Sequence, residues 1–347
     1  MHVAYNEKHV LHRPTTEVVL GRPAPNLERP ERIEAIRRAL AEDGSFVPIE
    51  PTDHGIEPVA AIHDPGLIRF LEEAWRDWTA AGHTNEVLPD TFMHPAIREG
   101  MDALPEPSSP RGRAGYWSFE TMTPVMEGTY EAARAAVDVA LTATDAVLDR
   151  ERVAYALCRP PGHHAARAAY GGYCYFNNAA IAAEHTVRRT GEPVAILDID
   201  YHHGNGTQQV FYSRDDVLYV SLHAHPERAY PHFAGWPEER GTGRGTGTTL
   251  NLPLSAGCDV STYLGHLDRA LEEVARFGAS VLVVSLGLDT YEGDPLSDLA
   301  IDKSAYPLIG RRVGEAGQRI VVVQEGGYDI PTLGGNATAF LRGIRER

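Results

Sequence analysis

Apolar, β-branched runs recur along the chain and alternate with stretches whose apolar residues stand three and four positions apart. The runs cover residues 153–157, 194–197, 217–222, 281–286 and 320–323. The helix-like stretches between them cover residues 129–149, 178–189 and 262–277. Near-continuous apolar strands that alternate with helices are typical of a parallel sheet covered by helices on both faces. The pattern therefore predicts an α/β fold.

A proline-rich segment interrupts this alternation between about residues 82 and 119. Pro105, Pro107 and Pro110 break any helical or strand period there. We expect a long loop or insert at this point of one domain that spans residues 1–347. Loops of such length in compact domains are usually functional or bind a partner.

The composition supports a sizeable core and limits the classes of partner. Hydrophobic residues make up 43% of the 347 residues, yet no apolar run approaches the ~20 residues needed to span a bilayer. The N-terminus shows no secretory signal. A formal net charge of −16 argues against nucleic acid as a main partner. Cys158, Cys174 and Cys258 are too scattered for a disulfide framework, which favours reduced thiols in a cytoplasmic protein.

Unusual polar residues follow four of the five apolar runs. They are His163 and His164 after the first run, Asp198, Asp200 and His202 at the end of the second, Asp289 after the fourth, and Tyr328 after the fifth. Ligands of open α/β sheets bind outside the carboxyl ends of the strands. Each group alone has an ordinary explanation, such as a solvated histidine pair or a helix N-cap. Because all four groups would lie at the same edge of the sheet, together they favour a metallohydrolase.

The second run suggests how metal ligands are presented. Because successive strand side chains point to opposite faces, we expect Asp198, Asp200 and His202 to project from the same side. Asp200, His202 and Asp289 could supply three ligands and leave positions open for water and a carbonyl oxygen. This donor set suits Zn²⁺, and Fe²⁺ or Co²⁺ would also be accepted.

The remaining polar residues fit the hydrolysis of an amide. A bound divalent cation would lower the pKa of water from about 16 towards ~7 and polarise the carbonyl. His163 and His164 could take up the proton and return it to the leaving amine. Tyr328, on a glycine-rich turn, could donate a hydrogen bond to the developing oxyanion.

Four blocks of sequence resemble the signature blocks of the histone deacetylase superfamily, in the same order over nearly the whole chain. They are Arg-Pro-Pro-Gly-His-His at 159–164, Gly-Gly-Tyr-Cys-Tyr-Phe-Asn-Asn at 171–178, Asp-Ile-Asp-Tyr-His-His-Gly-Asn-Gly-Thr-Gln at 198–208, and Glu-Gly-Gly-Tyr at 325–328. Residues 230–235, residues 284–290 and the insert are more similar to its bacterial acetylpolyamine amidohydrolase branch.

The resemblance implies the arginase/deacetylase fold, a three-layer α/β/α domain around a parallel eight-stranded sheet. It implies Zn²⁺ bound by Asp200, His202 and Asp289. Structural K⁺ near the zinc is also implied, and the matching positions are Asp198, Ser221 and Leu222. In the polyamine branch the insert builds a homodimer and narrows the cleft to slender cationic substrates.

Roles for individual residues also follow from the resemblance. His164 would be the general base and acid, His163 its electrostatic partner, and Tyr328 the residue that polarises the carbonyl. Tyr173 and Tyr230 would flank a narrow tunnel. The carbonyl oxygen of Gly172 would accept a hydrogen bond from the substrate amide.

The chain departs from the family pattern at two places. Asn205 stands where some relatives carry an aspartate behind the second histidine, so His164 should be less basic than it is there. The acids of the insert that meet the distal aminium in the polyamine branch do not align cleanly. Glu120 is the nearest candidate, shifted by about two positions, and Arg111 and Arg113 add positive charge nearby.

We therefore predict a metal-dependent amidohydrolase that removes acetyl groups from acetylated polyamines or similar slender cationic amines. The alternatives are an acetyl-lysine protein or peptide deacetylase and a deacylase of another small amine. A ureohydrolase would need two Mn²⁺ ions and further acids where Gly204 and Tyr291 stand. A non-catalytic protein that binds acylated ligands is disfavoured because both histidines and Tyr328 are present.

Overall fold

Eight parallel strands form the central sheet in a computed structural model, which describes residues 1–97, 99–102 and 105–346. The strands are β1 (His2–Ala4), β4 (Val47–Ile49), β5 (Val153–Ala156), β6 (Val194–Asp198), β7 (Val217–Ala224), β8 (Thr249–Leu254), β9 (Val281–Leu286) and β10 (Arg319–Gln324). Their order across the sheet is β4-β1-β5-β10-β9-β6-β7-β8. A separate antiparallel hairpin consists of β2 (Thr16–Val19) and β3 (Arg22–Pro25).

Helices cover both faces of this sheet. They are α1 (Pro30–Asp43), α2 (Glu57–Ile62), α3 (Pro65–Ala80), α4 (Pro110–Trp117), α5 (Thr129–Asp149), α6 (Asn178–Thr190), α7 (Asn205–Phe211), α8 (Val260–Phe277), α9 (Ala305–Glu315) and α10 (Ile330–Arg345). Helices α1, α8, α9 and α10 pack on one face, and α2 to α7 contribute to the other. The expected three-layer α/β/α arrangement is confirmed.

Burial on both faces explains why the strands are apolar throughout. In β6, Val194 and Ile196 enter the hydrophobic cluster on one face, whereas Ala195 and Leu197 enter the cluster on the other. Every residue of β6 is buried. A strand covered on two sides has no solvated face, so its sequence shows no polar alternation.

The five apolar runs all form strands, with ends within two residues of those predicted. The sequence pattern misses β1, β4 and β8. Strands β1 and β4 have three residues each, too few to establish a period. Strand β8 is an edge strand that contains Asn251 and Pro253, residues that are depleted in strands.

The predicted insert contains a helix that the sequence did not reveal. Pro110 begins α4, where a missing N–H is tolerated, and the hydroxyl of Ser109 caps the helix by accepting a hydrogen bond from Gly112 N at 3.2 Å. Pro110 therefore begins a helix here, whereas the sequence pattern predicts that it interrupts regular structure. No helix among the described residues is both long and apolar enough to cross a lipid bilayer.

Candidate metal centre and active-site pocket

The order of the strands explains why four distant segments meet. Strands β5, β10, β9 and β6 are consecutive in the parallel sheet, so the residues after them emerge along one edge. These are the four runs that the polar residues follow. The sheet therefore collects side chains separated by more than 100 positions into one site.

Asp200, His202 and Asp289 form a cluster whose ligand atoms all lie within 4.8 Å of one another. His202 Nδ1 is 3.0 Å from Asp289 Oδ2 and 3.3 Å from Asp200 Oδ1. Both carboxylates are completely buried. The structure thus brings together the three residues that the sequence predicts as metal ligands.

Loop hydrogen bonds, rather than strand alternation, set this geometry. Strand β6 ends at Asp198, so Asp200 and His202 lie beyond it. His202 N donates to Asp200 Oδ1 at 2.8 Å, and Asp200 N donates to Asp198 Oδ1 at 3.2 Å. Asp198 contacts His163 and Tyr219: its Oδ2 lies 3.1 Å from His163 Nδ1 and 3.1 Å from the Tyr219 hydroxyl. Strand alternation therefore does not explain the positions of Asp200 and His202, because both residues lie beyond the strand.

Two glycines allow the carboxylates to approach the backbone. A Cβ atom at Gly287 would overlap the carboxylate of Asp200, and one at Gly326 would overlap that of Asp289. Gly326 N also donates to Asp200 Oδ2 at 2.8 Å. These positions tolerate only glycine, because any side chain would displace a predicted ligand.

The electrostatics of the cluster fit one divalent cation. Burial and the neighbouring Asp200 raise the pKa of Asp289 to about 7. Two buried carboxylates face each other beside an imidazole nitrogen, an arrangement that is costly without a compensating cation. The oxygen and nitrogen donor set suits Zn²⁺. At Gly204 a Cβ atom would overlap the Asp198 carboxylate, so there is no room for the acid that a second metal would need.

The two adjacent histidines have opposite electrostatic environments. Although burial disfavours its charged form, Asp200 and Asp198 raise the pKa of His163 to about 10. Burial and the charges on His163 and His202 lower the pKa of His164 well below its usual value. The ring centroids are 4.0 Å apart. His163 is thus suited to remain an imidazolium, and His164 to accept a proton.

Asn205 contributes to the proton affinity of His164, because its Oδ1 lies 2.7 Å from His164 Nδ1 and this hydrogen bond partly opposes the lowering of the pKa of His164 by burial. An Asn205→Asp variant would place a carboxylate there and raise the pKa of His164. If neutral His164 is the base, the acidic limb of the kcat/KM profile should move to higher pH by about one pH unit or more. Rate measurements between pH 5 and 9 would check this, and an unmoved limb would argue against His164 as the base.

Tyr328 is fixed from several sides. Its backbone N–H donates to Asp294 Oδ2 at 2.6 Å, and the guanidinium carbon of Arg32 lies 4.6 Å from the ring centroid. Arg32 also donates to the carbonyl oxygen of Glu325 at 2.7 Å. Burial raises the pKa of Tyr328 well above its usual value. The hydroxyl therefore keeps its proton and can serve as a hydrogen-bond donor.

A pocket of about 140 Å³ leads to these groups. Six of its lining residues were singled out in the sequence: His164, Gly172, Tyr173, His202, Tyr230 and Tyr328. Four were not: Glu17, Val19, Met122 and Leu296. Hairpin β2–β3 supplies Glu17 and Val19, which no chemical motif marks in the sequence.

The wall formed by Gly172 and Tyr173 has an unusual backbone. Both residues have positive φ angles, 59° and 65°. A Cβ atom at Gly172 would overlap the ring of His164. The hydroxyl of Thr123 holds the turn by accepting a hydrogen bond from Tyr173 N at 2.7 Å. Glycine is required here both for backbone conformation and for contact with the histidine.

Glu120 has a different environment from the one expected for an aminium-binding acid. Its carboxylate accepts hydrogen bonds from Met122 N, the Thr123 hydroxyl and Gly172 N, the last at 3.1 Å. It is absent from the pocket lining. Burial raises its pKa, although these hydrogen bonds oppose the shift. Because these donors belong to the chain itself, Glu120 supports the Gly172–Tyr173 turn.

Asp198, Ser221 and Leu222 lie together on two adjacent strands. Asp198 of β6 is paired in register with Ser221 of β7, and Leu222 follows in the same strand. All three are completely buried. The Ser221 hydroxyl is 2.8 Å from His223 Nδ1.

Several residues that shape the site carry no recognisable sequence signal. Arg32 lies in α1, and Asp294 lies in the loop after β9. Glu325 belongs to the Glu-Gly-Gly-Tyr block at residues 325–328, but only the structure shows its contacts. It accepts hydrogen bonds from Gly162 N at 2.7 Å and His163 N at 3.2 Å. These contacts depend on residues far apart in sequence, so spacing along the chain could not reveal them.

The chain is similar to known proteins over nearly its whole length. The family model of the histone deacetylase domain matches residues 26–344. The chain is 40% identical over 340 residues to acetylpolyamine amidohydrolase 2 of Pseudomonas aeruginosa, covering 98% of this chain and 97% of that protein. It is 40% identical over 344 residues to the acetylpolyamine amidohydrolase of Mycoplana ramosa, covering 99% of each.

A solved structure also matches the whole fold. The crystal structure of acetylpolyamine aminohydrolase from Burkholderia pseudomallei superposes with a TM-score of 0.94 at 41% identity. The match covers 100% of this chain and 99% of that one.

Proposed function

The chain belongs to the histone deacetylase family, and from that premise we propose that it is a zinc-dependent amidohydrolase acting on acetylated polyamines or similar slender cationic amines. The observation that carries the proposal is the buried Asp200–His202–Asp289 cluster beside a narrow pocket lined by His164 and Tyr328. Relatives named as acetylpolyamine amidohydrolases support the substrate class.

Asp200, His202 and Asp289 would hold the metal ion. When bound, such an ion supplies Lewis acidity that polarises the acetamide carbonyl and makes water a better nucleophile. His164, unprotonated at Nε2, would accept the proton of the attacking water and pass it to the leaving amine. His163 stays charged and adds positive potential. Tyr328 would donate its hydroxyl proton in a hydrogen bond to the developing oxyanion.

The pocket wall would orient the substrate. We assign the Gly172 carbonyl oxygen to the substrate amide N–H, and the rings of Tyr173 and Tyr230 to the sides of the alkyl chain. Tyr230 packs edge-on against His164 at 4.9 Å between centroids. A pocket of only about 140 Å³ favours an unbranched chain over a bulky group.

The substrate class is tested by comparing kcat/KM for N-acetylputrescine, N8-acetylspermidine, N-acetylcadaverine and an acetyl-lysine peptide. We expect the three acetylated amines to be preferred by the zinc-loaded protein. A large preference for the peptide would instead support the alternative of a protein or peptide deacetylase. Activity on neither class would point to another small acylated amine.

We also propose a homodimer built through the insert. Met93, Ile97 and Met101 expose 43%, 72% and 60% of their surface, an apolar group that a second subunit could cover. Ile97→Asp combined with Met101→Asp should convert a dimer to a monomer in size-exclusion chromatography with light scattering. Leu308→Asp on α9 serves as the matched control and should remain dimeric. An unchanged mass for the double variant would refute the role of the insert.

A structural K⁺ and a cytoplasmic location complete the proposal. Asp198, Ser221 and Leu222 would hold the K⁺, where it would offset part of the negative charge behind His163. The three cysteines are free and buried, which is compatible with a reducing compartment.

A further inference from the structure

Asp294 is a buried acid whose contacts reach two different parts of the active-site pocket. It lies in the loop after β9, and its side chain is buried although its neighbours Gly293 and Pro295 are exposed. A buried carboxylate in an otherwise exposed loop is costly unless hydrogen-bond donors satisfy it. The donors that Asp294 binds therefore indicate which parts of the site it holds.

Both carboxylate oxygens of Asp294 accept hydrogen bonds from backbone N–H groups. Oδ2 binds the N–H groups of Tyr328, at 2.6 Å, and Asp329, at 3.1 Å. Oδ1 binds the N–H group of Leu296 at 3.0 Å. Leu296 and Tyr328 both line the pocket. A single carboxylate therefore joins one wall of the pocket to the turn that carries the tyrosine.

The turn before Tyr328 has few side chains with which to hold its own position. Gly326 and Gly327 precede the tyrosine, and Gly327 has a φ angle of 118°, which other residues rarely adopt. Arg32 donates hydrogen bonds to two carbonyl oxygens of this turn. Asp294 binds the N–H groups that follow the glycines. The backbone at residue 328 therefore depends on partners outside the turn.

A shift of this backbone would be amplified at the hydroxyl of Tyr328. The hydroxyl stands at the far end of the ring, so a small rotation at the Cα atom moves it through a larger arc. An oxyanion donor must lie about 2.7–3.1 Å from the developing charge, and a misplacement of about 1 Å can cost roughly 10²-fold in rate. Hydrogen bonds to the backbone of Tyr328 can therefore control the rate through the position of its hydroxyl.

The predicted metal ligand Asp289 and its loop have hydrogen bonds that do not involve the Asp294 carboxylate. Tyr201 N donates to Asp289 Oδ1 at 3.1 Å. Glu292 N donates to the carbonyl oxygen of Ile301 at 2.9 Å. We therefore expect Asp289 to keep its place when that carboxylate is removed.

We propose that Asp294 is a positioning residue for the hydrolysis, because its carboxylate fixes the Tyr328 hydroxyl relative to Leu296 and to a substrate held against that wall. This inference rests on the proposed function, in which Tyr328 donates a hydrogen bond to the oxyanion. Since that hydrogen bond forms in the transition state, loss of the Asp294 carboxylate should lower kcat and leave KM nearly unchanged.

The test combines Asp294→Ala with Tyr328→Phe in a double-mutant cycle on N-acetylcadaverine. We expect Asp294→Ala alone to lower kcat about 10–100-fold and to change KM less than about threefold. In the Tyr328→Phe background the same substitution should lower kcat less than about threefold, because the hydroxyl that it positions is already gone. Equal falls in the two backgrounds would show that Asp294 acts independently of Tyr328 and would overturn the inference.

Two further variants separate positioning from a general loss of structure. Asp294→Asn keeps the shape of the side chain, but its amide nitrogen cannot accept a hydrogen bond, so its kcat should lie between those of the wild type and Asp294→Ala. Asp302→Asn is the matched control, because Asp302 accepts a hydrogen bond from Ser304 N at 2.7 Å on an exposed part of the connection between β9 and α9. It should keep the wild-type kcat. Loss of zinc from both Asp294 variants would show that the acid supports the metal cluster and would refute the positioning role.

Binding of a transition-state analogue separates this inference from the proposed function. The probe is the trifluoromethyl ketone in which a methylene group replaces the amide N–H of N-acetylcadaverine, and its hydrate resembles the tetrahedral species of amide hydrolysis. In isothermal titration of the zinc-loaded proteins, Asp294→Ala should weaken its binding about 10–100-fold, but only when the Tyr328 hydroxyl is present. Equal affinity with and without the Asp294 carboxylate would contradict the inference even if the wild type deacetylates amines. A Tyr328-dependent loss of binding without any turnover would instead refute the proposed reaction and retain the role of Asp294.

Discussion

Replacing His164 with alanine should lower kcat by about 10²–10⁴-fold, the range for loss of a general acid–base group. The pKa of His164 is lowered by burial and by the charges on His163 and His202, so the ring is neutral and ready to accept a proton. Its variant should bind the metal normally, since His164 lies outside the cluster of Asp200, His202 and Asp289. Steady-state kinetics and metal analysis of the purified protein would check both expectations.

His163→Ala is the informative counterpart, because the two rings are only 4.0 Å apart. Because Asp200 and Asp198 raise its pKa against the effect of burial, His163 is better suited to carry positive charge than to act as the base, and its loss removes positive potential. We expect a smaller fall in kcat than for His164→Ala. A larger fall in the His163 variant, with an altered acidic limb of the pH profile, would reverse the two roles.

Tyr328→Phe should lower kcat about 10²–10³-fold, which is the loss expected when one oxyanion donor is removed. The metal content of the protein should be unchanged. The ring would stay in place, because Asp294 binds the backbone N–H of residue 328 and Arg32 packs over the ring face. The variant therefore isolates the hydroxyl. The loss should lie in kcat with KM nearly unchanged, as for an interaction formed in the transition state.

Tyr130→Phe on α5 controls for the general effect of removing a tyrosine hydroxyl and should retain full activity. Near-normal turnover in Tyr328→Phe would exclude its hydroxyl from the mechanism. A loss accompanied by reduced metal content would show that the substitution had disturbed the cluster.

The fold and the metal cluster could be predicted because their signals are local and chemically distinctive. Apolar runs buried on both faces identify five of the eight sheet strands, and the parallel order then brings their polar ends together. Asp200, His202 and Asp289 stand out because carboxylates and an imidazole directly after buried strands are expensive without a cation. Strand periodicity does not account for the positions of Asp200 and His202, since β6 ends at Asp198.

The pocket wall could not be predicted in the same way, because it depends on contacts between distant residues. Glu17 reaches the pocket through a hairpin that pairs with residue 121, and Arg32 reaches Tyr328 from α1. Glu120 was selected for its charge and position in the insert, yet three internal donors occupy its carboxylate. Charge alone does not distinguish a residue that binds substrate from one that supports the backbone.

The central claim is a single catalytic metal site that hydrolyses an acetylated amine. The most direct test is to chelate the protein, add Zn²⁺ stepwise, and measure acetate release from N-acetylcadaverine. We predict no activity without metal and a linear rise that breaks at one equivalent per chain. Activity that survives chelation, or that requires two equivalents, would contradict the one-metal site at Asp200, His202 and Asp289.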